Sequence, residues 1–73
     1  MNKKSVWVIM GDYEDKNKII AIPVIALPYG STKQDAYKVL TRFIAAPSDV
    51  DRIMTRNAKR LWVEEVFEKE WWN

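Results

Sequence analysis

The side chains with the clearest chemical potential are basic. Arg52, Arg56 and Arg60 recur four residues apart, Lys59 stands beside the last of them, and Lys38 and Arg42 lie on the preceding segment. On one continuous helix that spacing stacks guanidinium groups along a single side, and forks in a row suit phosphates or carboxylates. Two other readings compete with anion binding. The row can be a solvated face, with Arg52 tied to Asp49 or Asp51 and the later arginines favoured by the helix dipole. It can also steer the chain onto an acidic protein surface. Nucleic acid is the second choice because the net charge is only +2 and the glutamates after residue 63 repel a phosphate track. The sequence carries no Gly-rich RNP pattern, no GXXG loop and no zinc-finger spacing.

The second group is aromatic. Trp7, Trp62, Trp71 and Trp72 are more large rings than the core of a 73-residue chain needs. One or two belong inside, and the Trp71–Trp72 pair is the best candidate for the surface. Trp62, Phe67, Trp71 and Trp72 alternate with Glu64, Glu65, Glu68 and Glu70 to give an acidic, aromatic surface. Tryptophan contributes large contact area for few frozen torsions, which suits self-association or a basic partner. A frayed tail is the competing outcome.

Catalytic and metal chemistry find little support. The chain has no cysteine and no histidine, so thiol nucleophiles, disulfides, zinc knuckles and Ser-His-Asp or Cys-His arrangements cannot be built. The segment Asp12-Tyr13-Glu14-Asp15-Lys16-Asn17 has three carboxylates but lacks the sharp-bend glycine and distal glutamate of a calcium loop. Gly11 and Gly30 stand alone, so no glycine-rich phosphate loop is expected. The reading is therefore no enzyme, no cofactor and no metal.

These groups need elements to hold them. Ser5 to Met10 is dense in β-branched and aromatic residues and predicts a strand, with Trp7 facing opposite to Val6 and Val8. Gly11 to Asn17 reads as a polar turn longer than a two-residue hairpin loop. Lys18 to Leu27 predicts a second strand whose near-continuous apolarity implies cover on both faces, by helices, a second subunit or both. Pro23 marks an unpaired edge position or a bulge. Ser31 with Gln34, or Thr32 with Asp35, caps a helix whose core face is Ala36, Val39, Leu40, Phe43 and Ile44. Ala46-Pro47 ends it, and Ser48 with Asp51 caps the next.

That second helix meets a break in phase. Val50, Ile53, Met54, Asn57 and Leu61 share one side, whereas Trp62, Val63, Val66 and Phe67 centre on nearly the opposite side. One straight helix cannot bury both against one core: either it stops near Asn57 or Ala58, or the last segment packs against something else, and a strand over residues 61–71 is favoured over a continued helix. The fold class that follows is α+β: a single domain over 1–73, ordered β-β-α-α-β, with an antiparallel sheet and helices on one face.

Charge is uneven along the chain. Residues 33–60 hold seven basic and three acidic side chains, and residues 61–73 hold four glutamates and one lysine. The apolar run Val6–Met10 is too short for a signal peptide and is followed at once by Asp12, Glu14 and Asp15; the stretch Ile19–Pro28 is too short for a bilayer helix. A soluble cytoplasmic protein is expected, with no membrane association. In format, with a lysine-rich start, a hairpin, a capped helix and a charged aromatic tail, the chain is similar to many small proteins encoded by phages and other mobile elements. The resulting expectation is a non-enzymatic protein-binding module, a regulator or inhibitor that occupies a surface of a larger protein, with a homo-oligomer as one form. Its contact residues are expected to be Arg42, Arg52, Arg56, Lys59, Arg60, Trp62, Phe67, Trp71 and Trp72. The alternative is a nucleic-acid-binding regulator using the Arg52/Arg56/Arg60 row.

Overall fold

The computed structural model describes residues 5–67. Its elements are β1 (Ser5–Asp15), β2 (Lys18–Ala26), α1 (Lys33–Ala45), α2 (Asp49–Met54) and β3 (Arg60–Phe67). The three strands form one antiparallel sheet in the order β2-β1-β3, so the order β-β-α-α-β and the α+β class hold. The break in phase after α2 is real. Apolar residues before and after it serve different elements, and β3 returns beside β1 with Val63 opposite Ile9 and Trp62 opposite Met10.

The hairpin differs from the sequence expectation. β1 runs on to Asp15, and the loop is only Lys16-Asn17, with φ of 51° and 71°. Two successive left-handed residues match the twist of the flanking strands, the geometry of a tight hairpin turn. Here Lys and Asn carry the positive φ, and the glycine lies elsewhere. Gly11 is buried inside β1, where a Cβ atom meets Tyr13 Cε1 at 2.9 Å and Leu61 Cδ2 and Val24 Cγ2 at 3.3 Å. It is a site of close approach, not a turn. Pro23 lies where the β1–β2 register shifts, between Ile9 and Met10, so it occupies both an edge strand and a bulge.

β1 supplies both faces of the sheet. Trp7 and Ile9 join Leu27, Ala36 and Phe43, with Val39, Leu40, Met54, Leu61 and Val63 packed around them, as the core beneath the helices. Val6, Val8 and Met10 form a second apolar cluster with Trp62 and Val66 on the other side. α1 begins on a capping box: the Asp35 N–H donates to Thr32 Oγ1 at 3.1 Å, and the Thr32 N–H donates to Asp35 Oδ2 at 2.9 Å. That second bond holds the Asp35 carboxyl below its ordinary range.

Two apolar assignments are corrected. Ile44 is 65% exposed, because Ala36, Val39, Leu40 and Phe43 already fill the contact with the sheet and Ile44 falls beyond it. Within one chain the helices do not cover β2 on both faces: Ile19 is 55% exposed, Ile20 38% and Ile22 39%. α1 lies chiefly over β1 and β3; Val24 and Ile25 of β2 still pack against the core beneath it, while Ile20 and Ile22 fall beyond its edge.

Ile9 and Ile44 therefore separate core from surface. Ile9→Ala is expected to cost about 2–5 kcal/mol in urea unfolding, whereas Ile44→Ala stays within about 0.5 kcal/mol. Equal losses for the two would refute the placement of α1.

Candidate functional site: the helix corner

The basic residues do not form a row. α2 ends at Met54, so Arg52 lies on its last turn, Arg56 in the turn that follows and Arg60 at the first position of β3. The four-residue spacing is divided among three kinds of backbone, and the stack expected on a continuous helix is not built.

Each cation has its own surroundings. Arg42, from α1, meets Asp51, from α2, as a fork: Nε to Oδ2 at 2.9 Å and Nη2 to Oδ1 at 3.1 Å. Arg42 also lies over the Phe43 ring, 5.3 Å from its centroid. Lys59 pairs with Glu14 at 3.7 Å, both side chains well exposed, a contact of little energetic weight. Arg60 Nε donates to Asp12 Oδ2 at 3.1 Å, and its guanidinium sits 4.5 Å from the Trp62 ring centroid. Arg52 and Arg56 are exposed and make no ion pair among the described residues. Arg52 is thus tied to neither Asp49 nor Asp51.

The aromatic set is divided as well. Trp62 is half-buried opposite Met10 and belongs to the Val6, Val8 and Met10 cluster. Phe67 pairs with Ser5 at the far end of β3 and, by the alternation of side chains, occupies the other face. Trp71 and Trp72 lie outside the described residues. Of the nine contact residues expected from sequence, seven lie among the described residues, and of these Arg60 is stacked on Trp62.

What it assembles instead is the α1–α2 corner. Asp51 is 3% exposed. Besides the Arg42 fork, its Oδ2 accepts the Ser48 N–H at 3.1 Å, its own N–H donates to Ser48 Oγ at 3.1 Å, and its carbonyl accepts the Thr55 hydroxyl at 2.9 Å. The Arg42 hydrogen bonds are the largest cause of a lowered Asp51 pKa; burial opposes them, and the Ser48 N–H adds to them. With a carboxylate turned inward, α2 buries Asp51, half-buries Met54 and turns Val50 and Ile53 to solvent at 62% and 71% exposure. Tyr13 Oη reaches the Met54 carbonyl at 3.4 Å and holds the end of α2 to β1. The expected core side of this helix, Val50-Ile53-Met54, is therefore rolled outward by most of its width.

Sequence reading missed Val50 and Ile53 as surface residues because apolar spacing alone points them inward. The available signal was the Ser48/Asp51 capping box, whose carboxylate must stay beside the helix start. What it lacked was the partner: Arg42 is nine residues away and on another helix.

The bridge fixes a pH dependence. Because the folded pKa of Asp51 is depressed, the stabilisation is fully present above the ordinary aspartate value of about 3.9 and is lost as pH falls through the folded value. Asp51→Asn is expected to lower Tm by several degrees at neutral pH and to flatten the loss of Tm below about pH 4. A variant with the wild-type acid limb would assign that limb to another carboxylate.

Among the described residues, no group of His, Cys, Asp and Glu could hold a metal ion, and no helix is long and apolar enough to cross a membrane. Comparison with protein-family models, curated proteins and solved structures finds no match.

Proposed function

We propose that this chain is a non-enzymatic, cytoplasmic protein-binding module, a regulator or inhibitor that works by occupying a surface of a larger protein, and that the α1–α2 corner is what it presents. The observation that carries this reading is the roll of α2. Ile53, Ile44 and Val50 are the most exposed large hydrophobic residues among those described, and all three flank one corner. Single exposed apolar residues are ordinary, but a group at one place on a small domain marks a contact surface. Val50 and Ile53, three residues apart on a helix, are neighbours that fit an apolar groove.

Arg52 and Arg56 supply charge at the same corner. With no carboxylate partner among the described residues, they favour a groove with an acidic rim and raise the rate of encounter. The arginines of the nucleic-acid alternative now lie on separate elements, so that reading loses the geometry on which it rested. Arg60 and Lys59 are engaged by Asp12 and Glu14, and Arg42 by Asp51.

A photo-crosslinking residue at position 53, in the cells that make the protein, identifies the bound protein, and titration with that purified partner measures affinity. Ile53→Asp and Val50→Asp are expected to weaken binding by at least about tenfold. Arg52→Glu is expected to slow association, and all three variants should keep wild-type stability within about 0.5 kcal/mol. Wild-type affinity in both apolar-to-Asp variants would overturn the assignment of the corner. A low-salt gel shift with DNA or RNA that disappears in Arg52→Gln would favour the nucleic-acid reading instead.

A further inference from the structure

The corner leaves β2 unexplained. This nine-residue strand is an edge of the sheet, and from Ile19 to Ala26 it carries no charged side chain. The other edge, β3, carries Arg60, Glu64 and Glu65, the kind of charged edge that discourages pairing with a further strand. β2 has only Lys18 at its start and Pro23 at its bulge.

The hairpin fixes which backbone groups of β2 are unpaired by β1. The two-residue loop makes Asp15 and Lys18 the hydrogen-bonded pair that closes it, and the antiparallel ladder then alternates. Lys18, Ile20 and Ile22 direct their N–H and C=O groups toward β1. Ile19, Ala21 and Pro23 direct theirs outward. Proline thus occupies a position where the ladder with β1 needs no donor.

We propose that β2 is the seam of a homodimer, in which two copies pair antiparallel about a two-fold axis through Ala21 to make one continuous sheet. The register follows from three features of the strand. Pairing Ala21 with the partner's Ala21 lets each N–H donate to the other's carbonyl. Each Ile19 N–H then donates to the carbonyl of the partner's Pro23, so proline serves only as an acceptor. On the helix side, each Ile20 lies opposite the partner's Ile22, and these are side chains that α1 leaves uncovered in one copy. Lys18 falls opposite the partner's Val24, so no like charges meet.

A second copy fits this edge better than an unrelated strand because the sequence from Ile19 to Pro23 is its own complement in this register: apolar meets apolar on each face. An isologous contact of this kind closes on itself and forms no filament. The seam is independent of the corner, since Val50 and Ile53 are on α2 and α1 lies over β1 and β3.

Light scattering over a micromolar dilution series tests the proposal. Wild type is expected at twice the chain mass, dissociating on dilution. Ala21→Pro, which removes an outward donor and leaves the ladder to β1 intact, is expected to be a folded monomer by circular dichroism and mass. Because the chain has no cysteine, Ala21→Cys gives a direct probe of the axis. Facing Cα atoms in a hydrogen-bonded pair lie about 5.5 Å apart, within disulfide reach, so oxidation should yield a covalent dimer that Lys38→Cys on α1 does not. If Ala21→Pro fails to fold, Ile20→Lys and the cysteine pair decide the question. A wild type that is monomeric throughout, a dimer that survives Ala21→Pro or Ile20→Lys, or equal cross-linking at positions 21 and 38 overturns the seam. Val50→Asp and Ile53→Asp should remain dimeric while losing the larger partner, so failure of one reading leaves the other measurable.

Discussion

The bridge between Arg42 and Asp51 sets the arrangement of everything after α1. A carboxylate removed from water requires a charged partner and further donors, and Asp51 has both: the Arg42 fork and the Ser48 N–H. These bonds fix three properties at once. They set the angle at which the chain turns at Pro47, they set the roll of α2 about its axis, and they hold the start of that helix against the end of α1. The roll is the consequence with functional weight. A six-residue helix has too little area to bury an acid and a full apolar face together. With Asp51 inward, Val50 and Ile53 must face solvent. The corner is apolar on its outside because it is ionic on its inside.

A second constraint is the width of one helix. α1 is about 10 Å across with its side chains, and strands lie about 4.8 Å apart, so one helix covers roughly two strands. It lies over β1 and β3, whose Ile9, Leu61 and Val63 complete the core with Ala36 and Phe43. α2 is too short to take over the remaining strand. The exposure of Ile20 and Ile22 on the helix side of β2 is therefore a result of how few helical residues the chain has, not of poor packing in the core, where Ile9 and Ala36 are at 0% exposure.

What could be read in the sequence was local. Thr32 with Asp35, one of two boxes the spacing allowed beside Ser31 with Gln34, and Ser48 with Asp51 have members three residues apart, and both formed. The change of apolar phase between Leu61 and Trp62 marked the return as β3, since no continuous helix can face two ways, although α2 ends at Met54, before the expected stop near Asn57 or Ala58. Pro23 announced its bulge. The errors came from features whose meaning depends on distant residues. Gly11 beside acidic residues looks like a turn; only the approach of Tyr13, Leu61 and Val24 makes it a strand position. An apolar run such as β2 has the same composition whether helices, another chain or water lies over it. The arginine spacing was a true pattern on a helix that stops too early to use it. Ile44 satisfied the helical period yet fell beyond the edge of the sheet.

The charges toward the turn end of the hairpin are held within the domain, which limits what they can contribute to binding. Arg60 is held by Asp12 and stacked on Trp62, and the backbone N–H of Lys59 donates to the Asp12 carbonyl at 2.7 Å. These contacts fasten the start of β3 to β1 before the regular ladder begins at Asp12 opposite Arg60. A cation already solvated by a carboxylate and an aromatic ring must give up those partners to reach a ligand, so its net gain on binding is small. Arg52 and Arg56 have no such partners among the described residues to surrender. Of the three arginines after Pro47, these two retain the electrostatic freedom to recognise another molecule, and they flank the apolar corner that Asp51 turns outward.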